Sequence, residues 1–203
     1  MKKDILITDF LSELSSSNPT PGGGGVAALA GALSASLCSM VANLTSGKKK
    51  YAIYQADIER IISTSLRISE ELYLLIEEDA KCFEPLSRAY SLSKDDPNRD
   101  EVLENALRTA ASCPARILDK AIEVISLFEE LAVKGSRLAL SDVGVAATLC
   151  DAAIKSSLLN IKINTKLMKD RTIAESMNKE YINKADEATK RCDLIYQKVT
   201  EEL

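Results

Sequence analysis

The chain has 203 residues, a formal net charge of −4 and no histidine. That length supports one domain with a substantial hydrophobic core. The missing histidine excludes a Ser-His-Asp triad, a Cys-His dyad and any His-ligated metal site. Proton transfer is left to Asp, Glu, Lys, Tyr, Cys or water. Aromatic residues make up 4% and there is no Trp, so Ala, Leu, Ile and Val must fill the core. No basic patch is interleaved with aromatics, which argues against a nucleic-acid partner. Cys38, Cys82, Cys113, Cys150 and Cys192 are widely spaced, odd in number and form no CxxC pair. They read as reduced, buried thiols of a cytoplasmic protein.

Taken in order, Ile5–Leu14 has the spacing of a short amphipathic helix. Asp4 and Asp9 interrupt the apolar start, so this is not a signal peptide. Ser15–Gly25 is a turn-rich break, and Gly25–Ser46 is a helix of small residues. Within it, Val26–Leu44 carries no charge and Lys48–Lys50 follow, which is the length and flank of a membrane span. Gly31, Ser34, Ser36, Ser39, Asn43 and the alanines make it only modestly apolar, so we read a buried core helix and no membrane. Gly47–Tyr51 is a basic connector.

Asp57–Leu92 has helical spacing, with Pro85 as a bend or joint. Lys94–Asp100 is a polar turn. Glu101–Lys134 is the next helix, kinked at Pro114 and capped by Gly135. Ser141–Lys169 follows, with Ser141 or Asp142 as its N-cap. Thr172–Leu203 is a last, charged helix. No segment alternates like a strand. The expected fold is all-α, one domain over 1–203, a bundle of about six helices, four of them long, around the small-residue helix.

Four segments carry candidate chemistry. Gly22, Gly23, Gly24 and Gly25 form a run whose conformational entropy exceeds what a turn requires. Such a run suits either a close ligand or a tight helix contact, and free N–H groups at a helix start favour anions. A dinucleotide motif is rejected because no strand precedes it. Lys48, Lys49 and Lys50 are either a solvated connector or a receiver for a carboxylate-bearing ligand. Asp79 falls on the stripe of Leu72, Ile76, Phe83 and Leu86, so its carboxylate needs a partner or a shifted pKa. Asn160 and Asn164 lie four apart on one helix face that also holds Asp142, which sits five turns, roughly 27 Å, away.

These segments together resemble the cyclodeaminase/cyclohydrolase family of folate one-carbon enzymes. The resemblance runs through Phe10-Leu11, Pro19–Gly24, Val26–Leu33, Met40–Thr45, Gly47–Tyr51, Asp79-Ala80, Ser141–Ala147 and Asn160–Asn164. One turn departs from the family pattern, reading Gly135-Ser136-Arg137 where Gly-Asn is frequent. The resemblance implies a helical homodimer acting on a tetrahydrofolate substrate, with no prosthetic group and no metal. It matches the stand-alone bacterial form rather than the fusion with a transferase. It implies either a methenyltetrahydrofolate cyclohydrolase or a formiminotetrahydrofolate cyclodeaminase, against the alternative of a non-enzymatic dimeric scaffold. Asp79 or Asp142 would stabilise the cationic carbon and move protons. Lys50 would be a second proton-transfer group or a carboxylate anchor. Thr20, Gly22–Gly25, Lys48, Lys49, Tyr51, Asn160 and Asn164 would bind substrate, the two asparagines at the pterin edge.

Overall fold

The computed structural model describes residues 6–203. The expected helix start at Ile5 and the reading of Asp4 lie outside them. The described residues form α1 (Ile7–Leu14), α2 (Gly23–Thr45), α3 (Gln55–Tyr90), α4 (Arg99–Lys134), α5 (Leu140–Leu167) and α6 (Arg171–Glu201). Short 3₁₀ turns at Lys49–Tyr54 and Arg137–Ala139 lead into α3 and α5. The fold is an all-α bundle, and α3 to α6 supply its four longest helices.

α2 is the helix on which the bundle is built. Ala27, Ala28, Ala35, Cys38, Val41 and Ala42 are fully buried, and α3, α4 and α5 all pack on it. Small side chains allow this approach on several sides at once. At Gly31, a Cβ would stand 3.2 Å from Leu72 and 3.6 Å from Ala153, so α3 and α5 close on bare backbone there. The buried Ser34 hydroxyl donates to the Ala146 carbonyl at 2.8 Å and ties α2 to α5. All five cysteines are free and four of them are buried.

α2 begins at Gly23, two residues before the expected start, so part of the glycine run lies inside the first turn. Its far end stops at Thr45, and just beyond it Gly47 has a φ of +73° that a side chain would resist. Neither Ser141 nor Asp142 caps α5. The Arg137–Ala139 turn runs directly into the helix, Ala139 takes the cap position and Asp142 falls in the first turn. Ser136 sets this start by donating its N–H to Thr45 Oγ1 at 2.8 Å and accepting from the Ala139 N–H. Gly135 does terminate α4, with its N–H on the Leu131 carbonyl. α3 and α4 continue as helices through Pro85 and Pro114.

α5 runs antiparallel to α2. Gly31 faces Ala153, Gly23 faces Asn160, and Thr45 meets Ser136. This pairing decides which candidate residues meet. Asp79, Asn160 and Asn164 belong to the start of α2, and Asp142 belongs with its end.

Gly31→Val should destabilise the protein by about 1–3 kcal/mol through overpacking against Leu72 and Ala153. Urea unfolding checks this; an unchanged midpoint would show that α2 is not clamped at Gly31.

Candidate active site

Pro19, Thr20, Gly22, Gly23, Gly24, Asp79, Phe83, Ala110, Pro114, Asn160 and Asn164 surround a cavity of about 110 Å³ at the start of α2. The glycine run is explained by what stands over it. A Cβ on Gly24 would lie 2.2 Å from Asp79 Oδ1 and 2.4 Å from Oδ2. A Cβ on Gly23 would lie 3.1 Å from the Asn160 amide nitrogen. The carboxylate and the amide therefore rest on backbone. Gly22 and Gly25 have no contact this close, the nearest for each being 3.5 Å.

Asp79 is half-buried on α3, in register with the buried Leu72, Ile76 and Leu86. Burial pushes its carboxyl pKa up from 3.8 to about 6, while the Gly25 backbone N–H holds it back from going further. A carboxyl poised there changes protonation within a unit or so of neutral pH, as a general acid–base group requires. Asn160 donates its amide N–H to the Ser156 carbonyl at 2.8 Å. Asn164 donates to the Asn160 carbonyl at 2.8 Å and, more loosely, to the Ala110 carbonyl at 3.4 Å.

Lys48, Lys49, Lys50 and Tyr51 stand at the other end of α2. Lys48 Nζ donates to Ser136 Oγ at 3.2 Å, and the Tyr51 hydroxyl accepts from the Arg137 backbone N–H at 3.1 Å. That N–H and the neighbouring lysines lower the Tyr51 pKa. Lys50 is exposed, with Nζ 5.6 Å from the centre of the Tyr51 ring. The turn that departs from the family pattern, Gly135-Ser136-Arg137, thus belongs to this basic end and not to the Asp79 cavity. α2 has 23 residues, so the two clusters are separated by about 33 Å along it. Asp142 lies five turns along α5 from Asn160, outside the cavity. The structure therefore brings together Thr20, Gly22–Gly24, Asp79, Asn160 and Asn164, with Gly25 behind them as the N–H donor to Asp79, and leaves Asp142 and the four residues Lys48–Tyr51 apart from them within one chain.

Phe83, Ala110 and Pro114 complete the cavity wall and were not foreseen as site residues. Phe83 was visible on the Asp79 stripe, but nothing in the local sequence of α4 marks Ala110 or Pro114 as lining a site. A larger apolar groove of about 550 Å³ runs between α1, α2 and α3, past Phe10, Leu33, Leu66 and Tyr73. Asp79 does not line it.

The chain is thus an all-helical bundle with a half-buried carboxyl, its pKa raised, seated on glycine backbone at a helix start. The chain belongs to the formiminotransferase-cyclodeaminase family, whose model matches residues 6–183. It is 39% identical over 197 residues to a methenyltetrahydrofolate cyclohydrolase of Methylorubrum extorquens, covering 95% of each chain. It is 30% identical over 196 residues to the formimidoyltransferase-cyclodeaminase of Mus musculus, of which it spans 36%. The crystal structure of formiminotetrahydrofolate cyclodeaminase from Thermotoga maritima superposes with a TM-score of 0.84 at 31% identity, over 98% of this chain and 96% of that one.

Two predictions follow from the seating of Asp79. Its folded pKa is raised from 3.8 to about 6, so the ionised form is penalised by folding. The penalty is absent below the unfolded value and complete above the folded one. Asp79→Asn should therefore stabilise the protein at pH 7.5 by about 1–3 kcal/mol, with the gain vanishing by about pH 4. Urea unfolding at the two pH values measures it, and a pH-independent difference would contradict the burial. Gly24→Ala should lower stability although alanine is favoured in helices by about 1 kcal/mol; a stabilised variant would show that Gly24 does not seat the carboxylate.

Proposed function

We propose that this protein hydrolyses 5,10-methenyltetrahydrofolate to 10-formyltetrahydrofolate, with Asp79 as the proton-transfer group. The observation that carries this reading is the half-buried Asp79 carboxyl on the Gly24 backbone, poised at about 6 beside two asparagine amides. The substrate is a cation delocalised over N5, the bridging carbon and N10. A carboxylate stabilises that charge and accepts the proton of the water that adds to the carbon. A neutral carbinolamine results. The protonated Asp79 then returns its proton to N5 as the C–N5 bond breaks, and the remaining hydroxyl proton leaves as the formyl C=O forms. One bond to N5 is lost, one carbonyl is gained and one proton is released overall.

The alternative reaction is closure of 5-formiminotetrahydrofolate by attack of N10, with loss of ammonia. It uses the same tetrahedral carbon and the same carboxyl. The names of the Mus musculus and Thermotoga maritima relatives favour it, and that of the Methylorubrum extorquens relative favours hydrolysis.

The working unit in this reading is a homodimer. Val26, Leu33, Met40 and Leu44 are exposed on α2, with the half-buried Ala30 and Leu37 between them. Their spacing of four and three is that of a helix seam. A twofold through the middle of α2 sets the Gly23 end of one copy against the Lys48–Lys50 end of the other. It also explains the cavity: about 110 Å³ holds a ring, whereas whole ligands of drug size occupy roughly 300 Å³ or more. The basic end of the second copy then supplies cations for the substrate's carboxylates.

Purified protein should hydrolyse methenyltetrahydrofolate, followed by loss of its near-ultraviolet absorbance. Asp79→Asn should lower kcat by about 10²–10⁴, and Asp142→Asn by far less. A near-normal rate for Asp79→Asn would sink the assignment. Mixing Asp79→Asn with Lys50→Ala subunits tests the shared site. Recovery to about a quarter of wild-type activity is expected for a twofold dimer; no recovery would overturn the shared site and leave Lys50 without a part in it.

A further inference from the structure

α4 contains a proline at the cavity wall, and its effect on the backbone reaches Asn164. Pro114 has no N–H, so the carbonyl four residues earlier, that of Ala110, has no helical i+4 donor. Asn164 Nδ2 faces that carbonyl at 3.4 Å and donates to the Asn160 carbonyl at 2.8 Å. Both neighbours accept hydrogen bonds and cannot donate them, so the amide end that meets them is the NH₂. Its two protons are then used, and Oδ1 has no hydrogen-bond partner among the described residues. Ala110, Pro114 and Asn164 all line the Asp79 cavity.

We propose that Pro114 is a positioning residue: by freeing the Ala110 carbonyl it fixes the Asn164 amide with its oxygen toward the ligand, so that the cavity selects a substrate edge carrying N–H donors. This rests on the folate reading for the identity of the substrate, but the amide orientation does not. With the Asn164 amide locked, the cavity presents a carbonyl oxygen and the Asp79 carboxyl. The Asn164 oxygen suits an N–H or NH₂ group of a reduced pterin ring and disfavours a ring edge made of carbonyls, while Asp79 stays with the reacting carbon. Pro114 itself offers such a substrate no hydrogen-bond donor. The second amide on this face, Asn160, is held differently. Its NH₂ donates within α5 to the Ser156 carbonyl, and among the described residues no hydrogen bond ties it to α4.

The test is Pro114→Ala. The new N–H at 114 takes the Ala110 carbonyl in an ordinary helical bond and releases one Asn164 proton. In the ligand-free protein, nitrogen-resolved NMR should show two slowly exchanging Asn164 side-chain protons in wild type and one fast-exchanging proton in Pro114→Ala. The resonances are assigned by their loss in Asn164→Asp. In the methenyltetrahydrofolate assay, Pro114→Ala should raise KM about tenfold with kcat changed less than twofold. In an Asn164→Ala background the same proline substitution should leave KM where it is. A purely structural proline would change the melting temperature and leave wild-type KM and wild-type exchange, which would overturn the proposal. Equal KM effects with and without Asn164 would overturn it too. If wild-type protein turns over no folate, the function reading fails, and the exchange pattern still decides whether Pro114 orients Asn164.

Discussion

The contact between the Asp79 carboxylate and the Gly24 backbone is the constraint on which the rest depends. Any side chain at 24 would occupy the carboxylate's position, so the helix must start on glycine. The same start leaves backbone N–H groups free, and one of them, from Gly25, reaches the carboxylate. Seating the carboxyl this deeply raises its pKa, which weakens the fold at neutral pH and, in the proposed reaction, suits the group to proton transfer. α3 accommodates it by placing a single acid among Leu72, Ile76 and Leu86, which are otherwise core residues. Natural proteins accept such local losses at sites that do chemistry.

The packing of α2 has a second consequence. Glycines and alanines let α3, α4 and α5 close around one helix of 23 residues. Its two ends then hold different chemistry: a neutralisable carboxyl and amides at one, cations and a tyrosine at the other. A helix of 23 residues separates them by more than any small reacting centre spans. The outer face of the same helix carries an exposed apolar seam, and the proposed pairing of two copies along it would answer both the exposure and the separation.

Much of the fold was legible because helical periodicity, the glycine punctuation and the absence of strand patterning agree with one another. Asp79 was legible for the same reason: an acid spaced seven residues from Leu72 and from Leu86 lies on the buried stripe. The Asn160 and Asn164 pair was legible as a helix face. Their meeting with Asp79 was not, because it depends on α5 running antiparallel to α2 and on α3 crossing at Gly24, which are tertiary facts. The start of α5 was misread for a related reason. Ser141 and Asp142 have the chemistry of caps, but the turn before them is fixed by Thr45, far away in sequence. Pro114 suggested only a kink, since the partner of its freed carbonyl sits 54 residues away from Ala110.

The central claim is that Asp79 is a buried, neutralisable carboxyl and that its protonation governs the chemistry. Carbon-13 NMR of the Asp79 carboxyl, titrated in the free protein beside the pH profile of kcat/KM, tests it directly. Both should turn over at a midpoint near 6. An Asp79 midpoint at the ordinary value of 3.8, or a rate indifferent to pH through the measured midpoint, would contradict it.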